Sequence, residues 1–118
     1  MRLHHVQLAC PPGGEDDARR FWVEGLGMAE VEKPADLRGR GGAWFRAGSA
    51  EIHVGVDEPF APARKAHPAV VVDDLEGTAA RLESLGFAVV WTERHTFPGW
   101  ERCHTVDAHG NRVELLGV

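Results

Sequence analysis

Cysteine is scarce in this chain. Cys10 and Cys103 are its only two, and no CxxC spacing joins them. This argues against a disulfide framework and fits a reducing compartment. Long apolar runs are missing as well, since none approaches the ~18 residues a membrane span needs. Basic clusters long enough to follow a phosphate backbone are absent, and the formal net charge is −5, so nucleic-acid binding is disfavoured. No G-x-S-x-G nucleophile motif and no phosphate loop is present. Met1-Arg2-Leu3-His4-His5 runs into a strand pattern without the apolar h-region of a signal peptide, so the expected location is the cytoplasm.

What is present is a near-repetition. The 118 residues, 43% hydrophobic and 26% charged, suit one globular domain. A domain of that size buries roughly 65% of the surface its unfolded chain exposes, enough for a core without staples. Within it, features recur at a spacing of about 60 residues. His5 and His67 each open a β-like run, Leu26-Gly27 and Leu85-Gly86 each close a helix-like run, and His53 and Glu114 each sit in a late strand. Four side chains able to bind a metal, at equivalent points of two copies, suggest two motifs facing each other across a shared site.

The local patterns give each copy the order βαβββ. In the first, residues 3–9 read as a strand that Pro11-Pro12-Gly13-Gly14 breaks. Glu15, Asp16 and Asp17 suit the electropositive start of a helix carrying Ala18, Phe21, Trp22 and Leu26, which Gly25 or Gly27 would end. Residues 28–33 read as a strand, 34–42 as a flexible basic loop, and 43–47 with 51–56 as a hairpin turning at Gly48-Ser49. The proline-bearing stretch 57–66 reads as a linker between modules of about 1–56 and 67–118. In the second copy, 67–72 is a strand. Asp73 and Glu76 have capping-box spacing, and Leu75, Ala79 and Leu82 follow a helical period that Gly86 ends. Residues 87–91 are strand-like, and 101–106 with 112–116 form a hairpin turning at Asp107–Asn111.

Successive strand residues point to opposite faces. Ile52, Val54 and Val56 therefore oppose Glu51, His53 and Gly55, and Val113 and Leu115 oppose Glu114. Val6 and Leu8 oppose His5, and Val70 and Val72 oppose His67. The aliphatic phase should pack under the helix of its own module, leaving His5, His53, His67 and Glu114 on an uncovered concave face. A polar residue opposite an aliphatic face is ordinary in a half-exposed sheet; four at repeated positions are not. Imidazole and carboxylate together suit Zn, Ni, Mn, Fe or Co, and two histidines with one carboxylate leave positions open for substrate. His5, His67 and Glu114 would form that triad, with His53 as fourth ligand or base, Glu114 as ligand and base, and Glu51 in reserve.

The other histidines carry plainer readings: His4 as packing, His95 and His109 as solvated loop residues, and His104 as a strand residue with no counterpart in the repeat. Trp22 and Trp91 read as core or interface anchors, and Trp44, Phe45 and Trp100 as candidates for pocket walls. One of Arg38, Arg40, Arg46 and Arg64 could hold an anionic substrate group, because guanidinium matches carboxylate or phosphate.

His5-Val6-Gln7-Leu8 and the run from Ala18-Arg19-Arg20-Phe21-Trp22 to Leu26-Gly27-Met28 resemble the opening of the vicinal oxygen chelate superfamily. That group holds glyoxalase I, the fosfomycin- and bleomycin-resistance proteins and the extradiol dioxygenases. Glu51-Ile52-His53-Val54, His67-Pro68-Ala69-Val70 and Asp107 through Leu115 resemble its later strands. The resemblance implies an α+β glyoxalase-like fold in which two βαβββ modules form a curved mixed sheet around a central cleft. It further implies a homodimer, a divalent metal ion, and His5, His53, His67 and Glu114 at the ligand positions, with ligands of one site coming from both subunits in many small members. A metal-dependent isomerase, lyase or ring-opening enzyme acting on an oxygenated small molecule follows. The alternative is a metal-free drug- or metabolite-binding protein of the bleomycin-resistance type. The chain departs from the family at several points, the usual Phe-Tyr of the first helix being Phe21-Trp22 here. His53 stands where glyoxalase I usually has a carboxylate, and the absence of any tyrosine removes the catalytic tyrosine of extradiol dioxygenases.

Overall fold

In the computed structural model, which describes residues 1–118, the two copies become two four-stranded mixed sheets of identical topology. The first holds β1 (Val6–Cys10), β2 (Ala29–Val31), β3 (Ala43–Ala47) and β4 (Ala50–Val56) in the order β1-β4-β3-β2. The second holds β5 (Ala69–Val71), β6 (Val89–Val90), β7 (Glu101–Val106) and β8 (Arg112–Gly117) in the order β5-β8-β7-β6. In each, the first and last strands pair in parallel and the rest are antiparallel. No helix is long and apolar enough to cross a membrane.

The helices differ in detail from the periodic reading. The first begins as α1 (Glu15–Arg19), with three acids in its opening turn, and continues as π-helical turns over Arg20–Gly25. The wider turn lets Phe21 and Trp22, adjacent in sequence, both bury completely. The supposed flexible loop contains a short helix, α2 (Ala35–Arg38), and Gly42 at its end could carry no side chain, because a Cβ there would lie 2.2 Å from the Val54 carbonyl oxygen. Helix α3 (Leu75–Ser84) is capped by Asp74 and not by the Asp73–Glu76 pair: Asp74 accepts from the Gly77 amide at 2.9 Å, and Glu76 pairs with Arg94. Four strands are also shorter than expected: β1 begins at Val6 and not at residue 3, leaving His5 ahead of it, and β2, β5 and β6 lose end residues. Met28 and Phe87 are spent on helix exits, their amides donating to Trp22 and Leu82 carbonyls, and Pro68 has no amide for a ladder.

One continuous core of 17 residues joins the modules. Phe21 meets Phe87 edge-on at 5.1 Å, and Leu82 of α3 lies so close to Gly25 that a Cβ there would sit 2.6 Å from Leu82 Cδ2. The β7–β8 turn forms a second junction. Asp107 accepts from the amides of His109 and Asn111, both at 2.9 Å, which shapes the turn. Buried Asn111 then donates to the Ala9 carbonyl of β1 at 2.8 Å and accepts from the Ala63 amide of the connecting segment at 3.3 Å. His109 Nε2 reaches the Gly14 carbonyl at 2.8 Å, so this histidine is a tether at the helix start and not the solvated residue expected.

Candidate functional site

The strand registers determine which side chains share each sheet's second face. In the first sheet, Gln7 and Trp44 flank His53 on neighbouring strands, and Arg46 is opposite Glu51. In the second, Ala69 and His104 flank Glu114. The apolar phase lies against the helices as expected, with Leu8, Phe45, Ile52, Val54, Val113 and Leu115 buried. The other phase is less open than expected: His53 is 4% and Glu114 5% exposed, because neighbours on the same face cover them.

Within one chain the four predicted ligands fall into two groups. His5 and His53 belong to the first. The His53 ring lies between Trp44 and His5, stacked on each at 3.9 Å with interplanar angles of 2° and 17°. Its Nε2 bonds Glu51 at 2.7 Å, and Arg46 donates to the other carboxylate oxygen at 2.7 Å. His4, expected to pack, is exposed. It precedes β1, so no sheet face covers it, and its Nδ1 meets His5 Nδ1 at 2.9 Å. His4, His5 and Glu51 bring donor atoms within 4.8 Å of one another.

His67 and Glu114 belong to the second group, together with His104. Glu114 Oε1 meets His67 Nε2 at 3.0 Å and His104 Nε2 at 3.3 Å, and Arg102 lies 3.4 Å from Oε2. His67 Nδ1 donates to the Lys65 carbonyl at 2.8 Å, which orients the ring with Nε2 toward Glu114. His5 and His67 do line one cleft of about 490 Å³ where the edge strands of the two sheets approach, but no set of converging donor atoms combines the two groups.

His104 was not singled out by the repeat because its counterpart is no ligand: Trp44 occupies the equivalent place opposite His53. The signal lay in strand phase, since His104 and Glu114 both oppose a buried aliphatic or cysteine neighbour in sequence. Phe45, a pocket candidate, is fully buried in the core instead, because it shares the phase of Ala43. Arg46 is occupied by Glu51, and Arg38 by Glu32.

The electrostatics favour charged carboxylates and neutral imidazoles. Hydrogen bonds from His53, and then from Arg46, bring the Glu51 carboxyl down to about 2. Burial by itself would raise Glu114, yet hydrogen bonds from His67 and Arg102 outweigh it and hold that carboxyl below its ordinary range. Burial is also the largest influence on His53 and His104, pushing both below the ordinary imidazole value despite their carboxylate neighbours. Each face thus presents a carboxylate held in its charged form beside an imidazole whose burial disfavours protonation, donor types that suit a divalent cation.

A family model described as the glyoxalase/bleomycin resistance protein/dioxygenase superfamily matches residues 2–115. The chain belongs to that superfamily. A glyoxalase family protein from Bacillus anthracis is 39% identical, with a TM-score of 0.91 over 99% of this chain and 94% of that one. The fosfomycin resistance protein FosX from Listeria monocytogenes is 12% identical, with a TM-score of 0.74 over 100% of this chain and 91% of its own. TnmS3, an antibiotic binding protein from Streptomyces sp. CB03234, is 22% identical, with a TM-score of 0.68 over 99% and 98%. The last two share the fold, and superfamily membership does not by itself choose between their activities. None of the curated proteins matches the chain.

Proposed function

We propose that this superfamily member is a divalent-metal-dependent enzyme acting on a small oxygenated molecule by isomerisation, a lyase step or ring-opening addition. The observation that supports it best is a nearly buried carboxylate, Glu114, with two imidazole Nε2 atoms at 3.0 and 3.3 Å from the same oxygen. A nitrogen and oxygen donor set of this kind suits Zn, Ni, Mn, Fe or Co. His67 and Glu114 are the fixed donors. His5 and His53 are the first module's candidates, reaching the same site through a homodimer in which each cleft is completed by both chains. When bound, the ion supplies Lewis acidity to a substrate oxygen.

The chain's own residues account for the rest. The Lys65 carbonyl orients His67, Arg102 restrains Glu114, and burial of the carboxylate limits competing water. Glu114 is the base candidate for a proton beside the reacting oxygen, and His53 is a second. A pocket of about 360 Å³ beside His104, with Arg64 and Arg112 in its wall, suits an anionic substrate group.

Metal analysis of protein purified without chelator, followed by melting curves with each divalent ion, tests the proposal. Stoichiometric metal and stabilisation of about 2.7 kcal/mol at a hundredfold excess over Kd support it. No bound metal and no stabilisation by any of the five ions would refute it.

The stack of Trp44, His53 and His5 favours a second reading, a metal-free protein that sequesters an aromatic drug or metabolite by ring stacking. On that reading a Trp44→Ala variant loses affinity for planar antibiotics, and His67→Ala keeps it.

A further inference from the structure

We propose that His104 is a further protein ligand of the metal site, its Nε2 converging with His67 Nε2 on Glu114 Oε1 from a strand that carries no ligand position in the repeat. The inference rests on the metal-dependent reading above and adds a donor to its set.

Spacing is the first support. Around an ion with bonds of about 2.1 Å, ligand atoms at right angles lie about 3.0 Å apart and tetrahedral ones about 3.4 Å apart. The two imidazole nitrogens stand 3.0 and 3.3 Å from Glu114 Oε1, and all three donor atoms lie within 4.8 Å of one another.

The surrounding hydrogen bonds point the same way. Because His67 Nδ1 donates to the Lys65 carbonyl, Nε2 is the ring atom that faces Glu114 Oε1. A ring nitrogen and a carboxylate oxygen 3.0 Å apart are held together by a proton or a cation between them, and a divalent ion there would reach His104 Nε2 as well. Arg102 occupies the other carboxylate oxygen. It is itself anchored by Thr96 Oγ1 at 2.7 Å and the Glu93 carbonyl at 3.3 Å, and it lies over the Phe97 ring. Arg102 is therefore a positioning residue that leaves Glu114 one oxygen, Oε1, aimed at both imidazoles.

The first module offers no comparable donor from its strand pair. His53 has both ring faces covered and its Nε2 occupied by Glu51. At the place equivalent to His104 stands Trp44, which stacks and cannot ligate. The repeat has diverged: the β3–β4 pair of the first module stacks rings and its converging donors His4, His5 and Glu51 lie at the exposed approach to β1, whereas the β7–β8 pair of the second module itself brings two donors together.

Cobalt binding to the full-length protein tests this, read by titration calorimetry and by the visible absorption of bound Co²⁺, which reports nitrogen donors and coordination number without any substrate. His104→Ala and His104→Gln should each weaken Co²⁺ binding at least a hundredfold and alter the spectrum. His95→Ala, at an exposed loop histidine outside the site, should stay within about threefold of the parent with an unchanged spectrum. Melting curves verify folding, and if His104→Ala fails to fold, the glutamine variant decides. Equal weakening in His95→Ala overturns the assignment to His104. Unaltered binding in a folded His104 variant overturns the ligand role. A parent protein that binds no Co²⁺, Zn²⁺, Ni²⁺, Mn²⁺ or Fe²⁺ refutes the metal-dependent reading itself, which is a separate result.

Discussion

Asn111 offers the sharpest test of how the modules are held together. Its side chain, 1% exposed, donates to the Ala9 carbonyl at 2.8 Å and to Asp107 Oδ2 at 2.9 Å, and accepts from the Ala63 amide at 3.3 Å. Each bond is worth about 0.5–1.5 kcal/mol net, and removing the side chain strands partners on three segments. Asn111→Ala should therefore cost about 2–4 kcal/mol. For a domain of this length, that lowers Tm by roughly 8–16 °C. Asn111→Asp separates hydrogen bonding from size, because it keeps the shape and replaces the two donors with an acceptor. An ionised carboxylate would face both the Ala9 carbonyl and Asp107, so the introduced acid is held protonated in the fold and its pKa rises above the unfolded value of about 3.9. A raised acid contributes fully below the unfolded pKa and loses that contribution as pH rises. The deficit of Asn111→Asp relative to the parent should accordingly be small near pH 4 and grow toward pH 7, where it should equal or exceed that of Asn111→Ala. Urea melts followed by circular dichroism at pH 4, 5.5 and 7 measure both. A loss under 1 kcal/mol for Asn111→Ala, or a deficit for Asn111→Asp that does not change with pH, would refute the argument.

Other outcomes follow from the core and the titrating groups. Leu82→Ala should cost about 2–5 kcal/mol and Gly25→Ala about 1–3 kcal/mol, with the double variant losing less than their sum, because the new methyl at position 25 enters the space Leu82 vacates; strict additivity in a thermal or urea cycle would contradict that packing. Burial pushes the Cys103 thiol up to about 11, so the fold favours its neutral form. The associated stability, about 2–3 kcal/mol, is fully present below pH 9 and lost between pH 9 and 11. The parent should lose more stability over that interval than Cys103→Ala, and parallel curves would count against it. Glu51, held at about 2, gives stability that is present above its ordinary 4.5 and lost as pH falls toward 2. Acid melts of Glu51→Gln should fall less steeply below pH 4.5 than those of the parent, and superimposable slopes would remove the carboxylate's role.

The sequence determined the repeated βαβββ order, the two hairpins and the face each strand residue would occupy. These depend on short-range rules: period-2 alternation, helical spacing, and turns written in proline and glycine. The superfamily was legible for the same reason, since its motifs lie on those strands in order. Tertiary packing decided the rest. Met28 and Phe87 left their strands because the helix before each needed its last carbonyls satisfied. The Asn111 and His109 tethers join positions about a hundred residues apart, and no local pattern announces such a bond. The same holds at the candidate site. Chain spacing put His5 and His53 in parallel with His67 and Glu114, yet only strand register reveals that Trp44 and His104 stand beside them and give the two faces different characters. A residue's type and phase are properties of its own segment; which donors converge on one point depends on neighbouring strands, and that is settled only when the sheets form.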